Sequence, residues 1–376
     1  MSAFVSSSVI ASRRLAQRSV AAAIGLLLAS PLVQNAWSQA PAMRDTQAQT
    51  DVRIGVLGLF HPAQLEIEQT GTQTVAVTAS GSASGTWVLN GEPGHRRLLL
   101  RADREKVVLG NTSSAAWQAA SRDGSPVGFQ LAVPGKLRRT YVGRLTVEAR
   151  HGELVAIVSM SLETAVLSIV SAEMPAGAPL EALKAQAIVA RSFLAAGSRH
   201  REFDFCDTTH CQYLRTPQGA GVSAAAAVNA TSNMILAYQS KPLGAMYSSR
   251  CGGSTHSLRE VGMDPHDGYP YYAVDCPWCR RHPVRWQSRV AAAADAPASS
   301  NEPARLAKAR VWGWSVLPGS DFTTQKDAGG FLLQGHSIGH GIGLCQMGAI
   351  GMAATGVHCR QILEHYYPHA ELEQLR

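Results

Sequence analysis

A change in the spacing of hydrophobic residues near residue 160 constrains the fold of this chain more than any other feature. From Val52 to about Ile157 the chain consists of short β-type runs, including VRIGVLGLF, QTVAVTA and LVAIVSM, separated by turn sequences such as GEPG and RDGSP. From Leu162 onward, apolar residues recur every three or four positions, which is the helical period. A block of strands followed by a mainly helical block predicts an α+β protein.

The same pattern predicts the domain organisation. Residues 52–157 are expected to form a β-rich N-terminal part. Residues 158–376 are expected to form a helical or mixed part that contains the candidate catalytic residues. Within the second part, the Ala/Pro/Ser-rich stretch 291–308 is expected to be an exposed connector or a weak helix.

Two predicted helices flank a lone carboxylate, Glu173, in the sequence SAEMPAGAPLEALKAQAIVARSFLAAG. The first helix should end near Pro175, because proline interrupts the hydrogen-bond ladder, and the second should end at Gly197. Packing explains both helices but does not explain Glu173. On the second helix, three- and four-residue steps predict one buried stripe, formed by Leu180, Leu183, Ala187, Ala190 and Leu194.

The first forty residues have the layout of an export signal. Arginines precede an apolar run from Val20 to Val33, which is short for a membrane span, and a patch of small residues follows. We therefore expect a signal peptide over 1–40, a polar linker over 41–51, and a mature protein in the periplasm or associated with the cell wall. The pair Arg13-Arg14 leaves both the general and the twin-arginine export routes open.

The net charge of the chain bears on which kinds of binding partner it suits. The formal net charge is +7, and removal of the predicted signal with its three arginines would leave +4. Such a mild charge, without runs of lysine or arginine, does not favour nucleic-acid binding. It is compatible with an anionic polymer such as cell wall.

Glu173 is a candidate general acid. At the end of a helix the exposed carbonyl groups and the negative end of the dipole disfavour a carboxylate anion, so the pKa of the acid should rise. A carboxylic acid that is still protonated near neutral pH can protonate a glycosidic oxygen. The alternative from the local pattern is a solvated surface glutamate.

Two glycine-rich segments are candidate binding loops. In GHSIGHGIGLCQMGAIGMAATG, the glycines leave room for a ligand, with His340 and Gln346 as polar groups, although the segment could also be a tight turn. Its spacing matches neither a phosphate-binding loop nor a dinucleotide fingerprint. In YSSRCGGSTHS, hydroxyl groups around a Gly-Gly turn could line a sugar site, and this segment does not contain the G-x-S-x-G elbow of a serine hydrolase.

Seven cysteines raise the question of zinc or disulfides. His200, Cys206 and Cys211 with one further ligand could form a tetrahedral zinc site, and so could Cys206 and Cys211 with the pair Cys276 and Cys279. In an exported protein, local disulfides are one alternative, and free buried thiols are another. The odd total leaves at least one cysteine without an intrachain disulfide partner.

Four ordered motifs resemble the SpoIID/LytB family, which is named after stage II sporulation protein D and the amidase enhancer LytB. The motifs are SAEMP with EALKAQAIVARS, FDFCDTTHCQ, SSRCGGST, and GHGIGLCQMGAIGMAATG followed by ILEHYYP. The β-rich sequence that leads into them is similar as well. The resemblance covers about residues 52–375 and implies a SpoIID-like domain built around a cleft.

The resemblance also implies a reaction. Active family members are lytic transglycosylases, which cleave the bond between N-acetylmuramic acid and N-acetylglucosamine in peptidoglycan strands that lack stem peptides. The glutamate of the E-M-P motif, here Glu173, is the catalytic residue. One carboxylate is enough because the C6 hydroxyl of the substrate attacks and leaves a 1,6-anhydro end, whereas a hydrolase usually needs two.

By the same match, the cleft is expected to include substrate-binding residues from both glycine-rich segments. A structural zinc ion is implied at His200, Cys206 and Cys211. This chain departs from the family where it has Cys345 and Met347 in place of a serine and an aromatic residue. The expected substrate-binding residues are His340, Gly341, Gln346, Ser248, Gly252 and Gly253.

Two other functions compete with the enzyme. The first is a wall-binding module that stimulates an N-acetylmuramoyl-L-alanine amidase without catalysis of its own. The second is a zinc peptidase or amidase that uses His336, His340 and a carboxylate, and the missing H-E-x-x-H motif disfavours it.

Overall fold

The computed structural model describes residues 51–375 apart from a few short gaps, so the predicted signal peptide and nearly all of the predicted linker lie outside the described residues. The described chain mixes strands and helices, which confirms the α+β prediction. The gaps are 81–84, 91, 93–95, 217–220, 265–267 and 292–300.

Strands make up the chain up to residue 161, and shorter strands recur later. The strands are β1 (Asp51–Val56), β2 (Gln64–Gln69), β3 (Val75–Ala79), β4 (Thr86–Leu89), β5 (Arg97–Asp103), β6 (Lys106–Leu109), β7 (Thr112–Ser114), β8 (Ala116–Ala120), β9 (Val127–Val133), β10 (Leu137–Arg150), β11 (Glu153–Ser161), β12 (Phe205–Cys206), β13 (Met234–Tyr238), β14 (Lys241–Pro242), β15 (Tyr247–Ser248), β16 (Trp286–Val290), β17 (Phe322–Asp327), β18 (Gly330–Gly335), β19 (Leu344–Cys345) and β20 (Glu371–Gln374).

The α-helices begin directly after β11. They are α1 (Leu162–Glu173), α2 (Leu180–Ala195), α3 (Gly221–Ala230), α4 (Pro277–Arg281), α5 (Glu302–Trp312), α6 (Gln346–Ala354) and α7 (Cys359–Tyr366). None of the helices in the described part of the chain combines the length and the apolar character that a membrane crossing requires.

A curled sheet of twelve strands forms the β-rich part, and β10 organises it. The first half of β10 pairs with β9, and its second half pairs with β11 on one side and β8 on the other. Gly143 lies where the partners change, and a Cβ atom there would come within 2.5 Å of the Ser159 carbonyl oxygen. The close approach of β11 therefore requires glycine at this position.

Strand prediction succeeds where the strands contain runs of hydrophobic residues. All eight hydrophobic runs in the β-rich part correspond to strands, whereas β2 (QLEIEQ), β7 (TSS) and β8 (AWQAA) lie outside those runs. The three strands that the runs missed are short or rich in Gln, Glu, Ser and Ala, which have weaker strand preferences. Pairing with the longer strands β9, β10 and β6 compensates for that weakness.

Helix α2 is the centre of the second part, and its surroundings correct the prediction of a single buried stripe. Residues from Ala182 to Leu194 are buried on nearly all sides, because α1, α3, α6, α7 and β13 surround the helix. Leu180, which the stripe included, is 43% exposed. Hydrophobic periodicity could not reveal this, since small alanines occupy several faces of the helix.

A buried ion pair fixes α2 against α1. The guanidinium of Arg191, which is fully buried, donates to both carboxylate oxygens of Glu163 at 2.8 and 2.7 Å, and it also donates to the Met234 carbonyl at 3.0 Å. Two parallel hydrogen bonds give this pair a defined geometry. The pair thereby sets the position of the helix that ends at Glu173.

A small second core lies in the later part of the chain. Strands β16, β18 and β17 form a three-stranded sheet that packs with α5 around Leu317 and Leu333. Helix α5 carries a buried pair, Arg305 and Glu302, and it includes the second half of the segment predicted to be a connector or weak helix. Residues 292–300 of that segment lie outside the described residues.

We expect Arg191→Met to lower the free energy of unfolding by about 3–5 kcal/mol, because it leaves the carboxylate of Glu163 without its partner. Urea unfolding followed by circular dichroism measures the change. The matched control is Arg289→Met, whose partner Asp327 is exposed, and it should have little effect. A double variant, Glu163→Leu with Arg191→Met, should recover part of the loss, and no recovery would contradict the assignment.

Candidate functional site

Glu173 is the last residue of α1, which confirms the predicted helix end. Ser161 caps the start of the helix by accepting a hydrogen bond from the Thr164 amide at 3.2 Å. At the other end Met174 is extended, and its amide closes the last turn on the Val170 carbonyl. Pro175 follows, so the helix cannot continue.

Three different segments meet at the half-buried Glu173. The backbone amide of Tyr213 donates to its Oε1 atom at 2.9 Å. The side-chain amide of Gln346 donates to its backbone carbonyl at 3.3 Å and contacts the Gln186 side chain at 3.4 Å. The buried Tyr247 hydroxyl has no hydrogen bond of ordinary geometry within the described residues, yet it lies close enough to lower the pKa of the Glu173 carboxyl.

Burial raises the pKa of Glu173 to about 7 from its ordinary value near 4.5. Removing the carboxylate from water disfavours its charged form, and this effect outweighs the opposing hydrogen bonds from Tyr247 and Gln346. The sequence attributed a raised pKa mainly to the helix end, whereas in the structure burial is the main cause. Near pH 7 the carboxyl group is therefore about half protonated and can both give and take a proton.

The C-terminal end of the glycine-rich loop leads to Gln346, which contacts Glu173. Gly339, Gly341 and Gly343 all have positive φ values, which suit glycine. At Gly341 a Cβ atom would lie 2.6 Å from the His256 ring. The loop then enters β19 and α6, whose first residue, Gln346, is the one that contacts Glu173.

His340 lies within this loop, and a neutral imidazole carries its proton on one ring nitrogen. Burial lowers its pKa, and its Nδ1 atom accepts a hydrogen bond from the Ile342 amide at 3.0 Å. The remaining ring nitrogen, Nε2, therefore carries the proton. A hydrogen bond with the Tyr247 backbone, which opposes the lowering of the pKa, connects His340 to the strand beside Glu173.

The other predicted substrate residues divide into two groups. Ser248 is buried in β15, where it pairs with Cys345 of β19, and its hydroxyl lacks a partner within the described residues. Gly252 and Gly253 instead pack against His336 and Arg280, and no described contact joins them to Glu173. His336 pairs with Asp321 at 3.0 Å, and the described residues place it in no metal group with His340.

Several buried polar atoms around Glu173 have no hydrogen-bond partner in the described part of the chain. They include both side-chain polar atoms of Gln212, the Nε2 atom of Gln186 and the Tyr247 hydroxyl. Such atoms are rare in folded proteins, and a cluster of them indicates groups that water or a polar ligand satisfies. Next to Glu173, a concave surface is lined by Ser171, Met174, Pro175 and the start of α3.

The predicted zinc ligands His200, Cys206 and Cys211 lie together, and His210 completes a group of four. Each offers one donor atom, and all four donors lie within 4.8 Å of one another. The Nε2 atom of His200 is 3.3 Å from the Cys211 sulfur. Two imidazoles and two thiols are a donor set that suits tetrahedral zinc, so the residues fit the expected structural ion. The same loop continues to Tyr213, whose amide binds Glu173.

The alternative in which Cys276 and Cys279 join Cys206 and Cys211 is wrong. In the structure Cys276 and Cys279 group with Cys251 and Cys345 instead, in a separate cluster. Sequence spacing could not reveal this, because the partners come from distant segments. The sequence pattern does not reveal two residues of the site. Tyr213 binds Glu173 through its backbone amide. Tyr247 is the first residue of YSSRCGGSTHS, a segment of interest for its hydroxyl groups and glycines.

Fold and site together define an α+β protein with one buried acid at a helix end, next to a cysteine–histidine cluster. Residues 150–238, which include Glu173 and that cluster, match the SpoIID family model, described as stage II sporulation protein. Two similar relatives are stage II sporulation protein D of Bacillus amyloliquefaciens, 25% identical, and of Bacillus subtilis, 24% identical. Each alignment covers 58% of this chain and 76% of the relative.

An uncharacterised protein of Brachyspira hyodysenteriae is 26% identical over 263 residues, which are 60% of this chain and 70% of the relative. The match to the family model and the two relatives named stage II sporulation protein D support a likeness of this chain to the SpoIID family. The family match includes the E-M-P motif and ends before the glycine-rich loop that begins at Gly335.

We expect Tyr247→Phe to raise the pKa of Glu173 further, because the phenol hydroxyl helps to stabilise the carboxylate. Carbon-13 NMR titration of protein labelled at glutamate carboxyl groups measures this pKa, and Glu173→Gln identifies the signal. Tyr269→Phe, which removes a hydroxyl bound to the Pro368 carbonyl, is the matched control and should leave the titration unchanged. An unchanged or lower pKa in Tyr247→Phe would contradict the described geometry.

Proposed function

We propose that the protein is a peptidoglycan lytic transglycosylase in which Glu173 is both acid and base. The observation that carries the proposal is the half-buried carboxyl group of Glu173, which has a pKa of about 7 and lies in the part of the chain that matches the family. Contacts with Tyr213, Tyr247 and Gln346, of which only Tyr213 lies in that part, position it. The substrate would be a glycan strand without stem peptides. The names of the two Bacillus relatives refer to sporulation, and the cell-wall substrate is our proposal for this chain.

In the first step, protonated Glu173 gives its proton to the glycosidic oxygen as the bond from C1 of N-acetylmuramic acid to that oxygen breaks. General acid catalysis of this kind needs an acid that keeps its proton close to the working pH. The pKa of Glu173 satisfies that condition, whereas an ordinary glutamate would be almost fully ionised at pH 7.

In the second step, the Glu173 carboxylate takes the proton of the C6 hydroxyl while that oxygen bonds to C1. The product is a 1,6-anhydro ring, the carboxyl group is protonated again, and no water is consumed. The Tyr213 amide, which donates to Oε1, would hold the anion between the steps. Within the described residues, the contacts of the Glu173 side chain are an amide, a phenol and Gln346, which suits a reaction that needs one carboxylate.

The polar groups around the acid suit an amino sugar. The unpaired amide of Gln212 and hydroxyl of Tyr247 could bind acetamido and hydroxyl groups. The Arg215 guanidinium lies 3.9 Å from the centroid of the Tyr213 ring, in the segment whose backbone amide binds Glu173. His340 and Ser248 would also bind the substrate. Ser248 lies in β15, which pairs with β19, and His340 is connected to β15 through the Tyr247 backbone.

The cysteine–histidine group would hold a structural zinc ion that fixes the loop from Cys206 to Tyr213. Such an ion would act on the reaction only by positioning the Tyr213 amide. We further propose that residues 1–40 direct export and that the protein acts in the periplasm or at the wall, where its substrate is found.

Glu173→Gln should lower the rate of glycan cleavage by about 10²–10⁴-fold, because it removes the proton donor while keeping the shape of the side chain. The assay uses amidase-treated cell-wall sacculi and counts 1,6-anhydro products by mass spectrometry. Glu181→Gln, which changes a glutamate near the start of α2, serves as the control and should remain active. Equal release by wild type and Glu173→Gln would refute the proposal.

The cleavage rate should fall as the pH rises through about 7, since only the protonated form of Glu173 starts the reaction. Above that pH the decline approaches about tenfold per unit in kcat/KM, which reports the free enzyme. Tyr247→Phe, if still active, should move the decline to higher pH. A rate that stays constant between pH 6 and 9 would contradict the acid role of Glu173.

A wall-binding amidase enhancer remains the second candidate, and the same variants separate it from the enzyme. If the protein acts only by stimulating an amidase, Glu173→Gln should stimulate a purified N-acetylmuramoyl-L-alanine amidase on intact sacculi as well as wild type does. Stimulation without any anhydro product from wild type would favour the enhancer over the transglycosylase.

A further inference from the structure

Four buried cysteines outside the site described above meet at one point. They are Cys251, Cys276, Cys279 and Cys345, and their sulfur atoms all lie within 4.8 Å of one another. They come from three segments: the turn after β15, the short helix α4 with the residue before it, and strand β19. We propose that these four residues bind one structural zinc ion.

The donor set and the spacing favour a single central cation. Four thiolates around zinc, with bonds of about 2.3 Å, place neighbouring sulfurs about 3.8 Å apart. The sulfurs of Cys279 and Cys345 are 3.5 Å apart. Each of the four residues is at most 2% exposed, so four thiolates here require a compensating positive charge.

Neighbouring groups also donate hydrogen bonds to the sulfurs. The Gly348 amide lies 3.4 Å from the Cys345 sulfur, and the Tyr366 hydroxyl lies 3.4 Å from the Cys276 sulfur. Such donors stabilise metal-bound thiolates and orient them. At Gly348 a Cβ atom would lie 2.7 Å from the Cys276 sulfur, so glycine leaves the space that the cluster occupies.

The sequence pattern supports a metal knuckle. Cys276 and Cys279 have the C-x₂-C spacing, and the Cys276 amide donates to the Gly253 carbonyl at 2.8 Å, which brings the turn after Cys251 next to α4. Gly252 and Gly253, which have positive φ values, therefore shape the approach to this cluster. The predicted sugar contacts at these glycines find no support in the described structure.

The rival explanation is two disulfides among the same four cysteines. Disulfide pairs would each join one sulfur to a single partner, whereas here every sulfur is near the other three. The cluster also lies one residue from the candidate active site, since Cys345 precedes Gln346, which contacts Glu173. An ion here would tie β15, β19 and α4 together and hold Gln346 in place. The inference does not depend on the proposed reaction.

The test begins with metal analysis of the mature protein, purified without chelators. We expect two zinc ions per chain in wild type and one in the variant Cys276→Ser/Cys279→Ser. Cys206→Ser/Cys211→Ser should also lose one ion, from the other group. Cys359→Ser, which changes a cysteine outside both groups, is the matched control and should keep both ions.

Measurements on wild type keep the proposal testable if a variant fails to fold. Zinc X-ray absorption should give an average of three sulfur ligands per zinc, which is the mean of two in the histidine-containing group and four in this cluster. Seven free thiols should be counted after denaturation with a chelator. An average of two sulfur ligands, iron in place of zinc, or a thiol count lowered by four would overturn the proposal.

Discussion

The weak solvation of one carboxylate is the condition on which the rest of this site depends. Glu173 ends a helix whose neighbours bury it, and its carboxyl group receives one well-formed backbone hydrogen bond, from Tyr213. More donors would stabilise the anion and return the pKa to the ordinary range. Full exposure would do the same. The protein therefore has to bury the carboxyl group while giving it few hydrogen-bond donors. The surrounding structure then has to hold the side chain of Glu173 in place.

That rigidity comes from elements on every side of the acid. The buried pair of Arg191 and Glu163 fixes α1 against α2, which positions the helix end itself. Two further segments contact Glu173, namely the loop that carries Tyr213 and the start of α6, which carries Gln346. A group of four candidate metal ligands lies next to each of these segments. Cys211 of the first group is two residues before Tyr213, and Cys345 of the second group directly precedes Gln346. Bound metal ions would add to the hydrophobic packing that holds these segments in position.

Sequence reasoning recovered the fold class, the helix end at Glu173 and most strands, because these depend on local periodicity and on proline. It also brought together His200, Cys206 and Cys211, which are close in the chain. It left open whether Cys276 and Cys279 join that group, and the structure places them with Cys251 and Cys345, which come from distant segments. It expected one buried stripe on α2, although tertiary packing buries the helix all round. Contacts made by a backbone amide, such as that of Tyr213, leave no signature in residue types.

The central claim is that one carboxyl group carries out cleavage without consuming water. The most direct test is to digest peptide-free glycan strands with the protein in water enriched in oxygen-18. Mass spectrometry then measures the masses of the newly formed glycan ends. The account predicts 1,6-anhydro ends that contain no heavy oxygen and that disappear with Glu173→Gln. Reducing ends labelled with oxygen-18 would show that water attacks C1, and anhydro ends that persist in Glu173→Gln would show that another group is the acid.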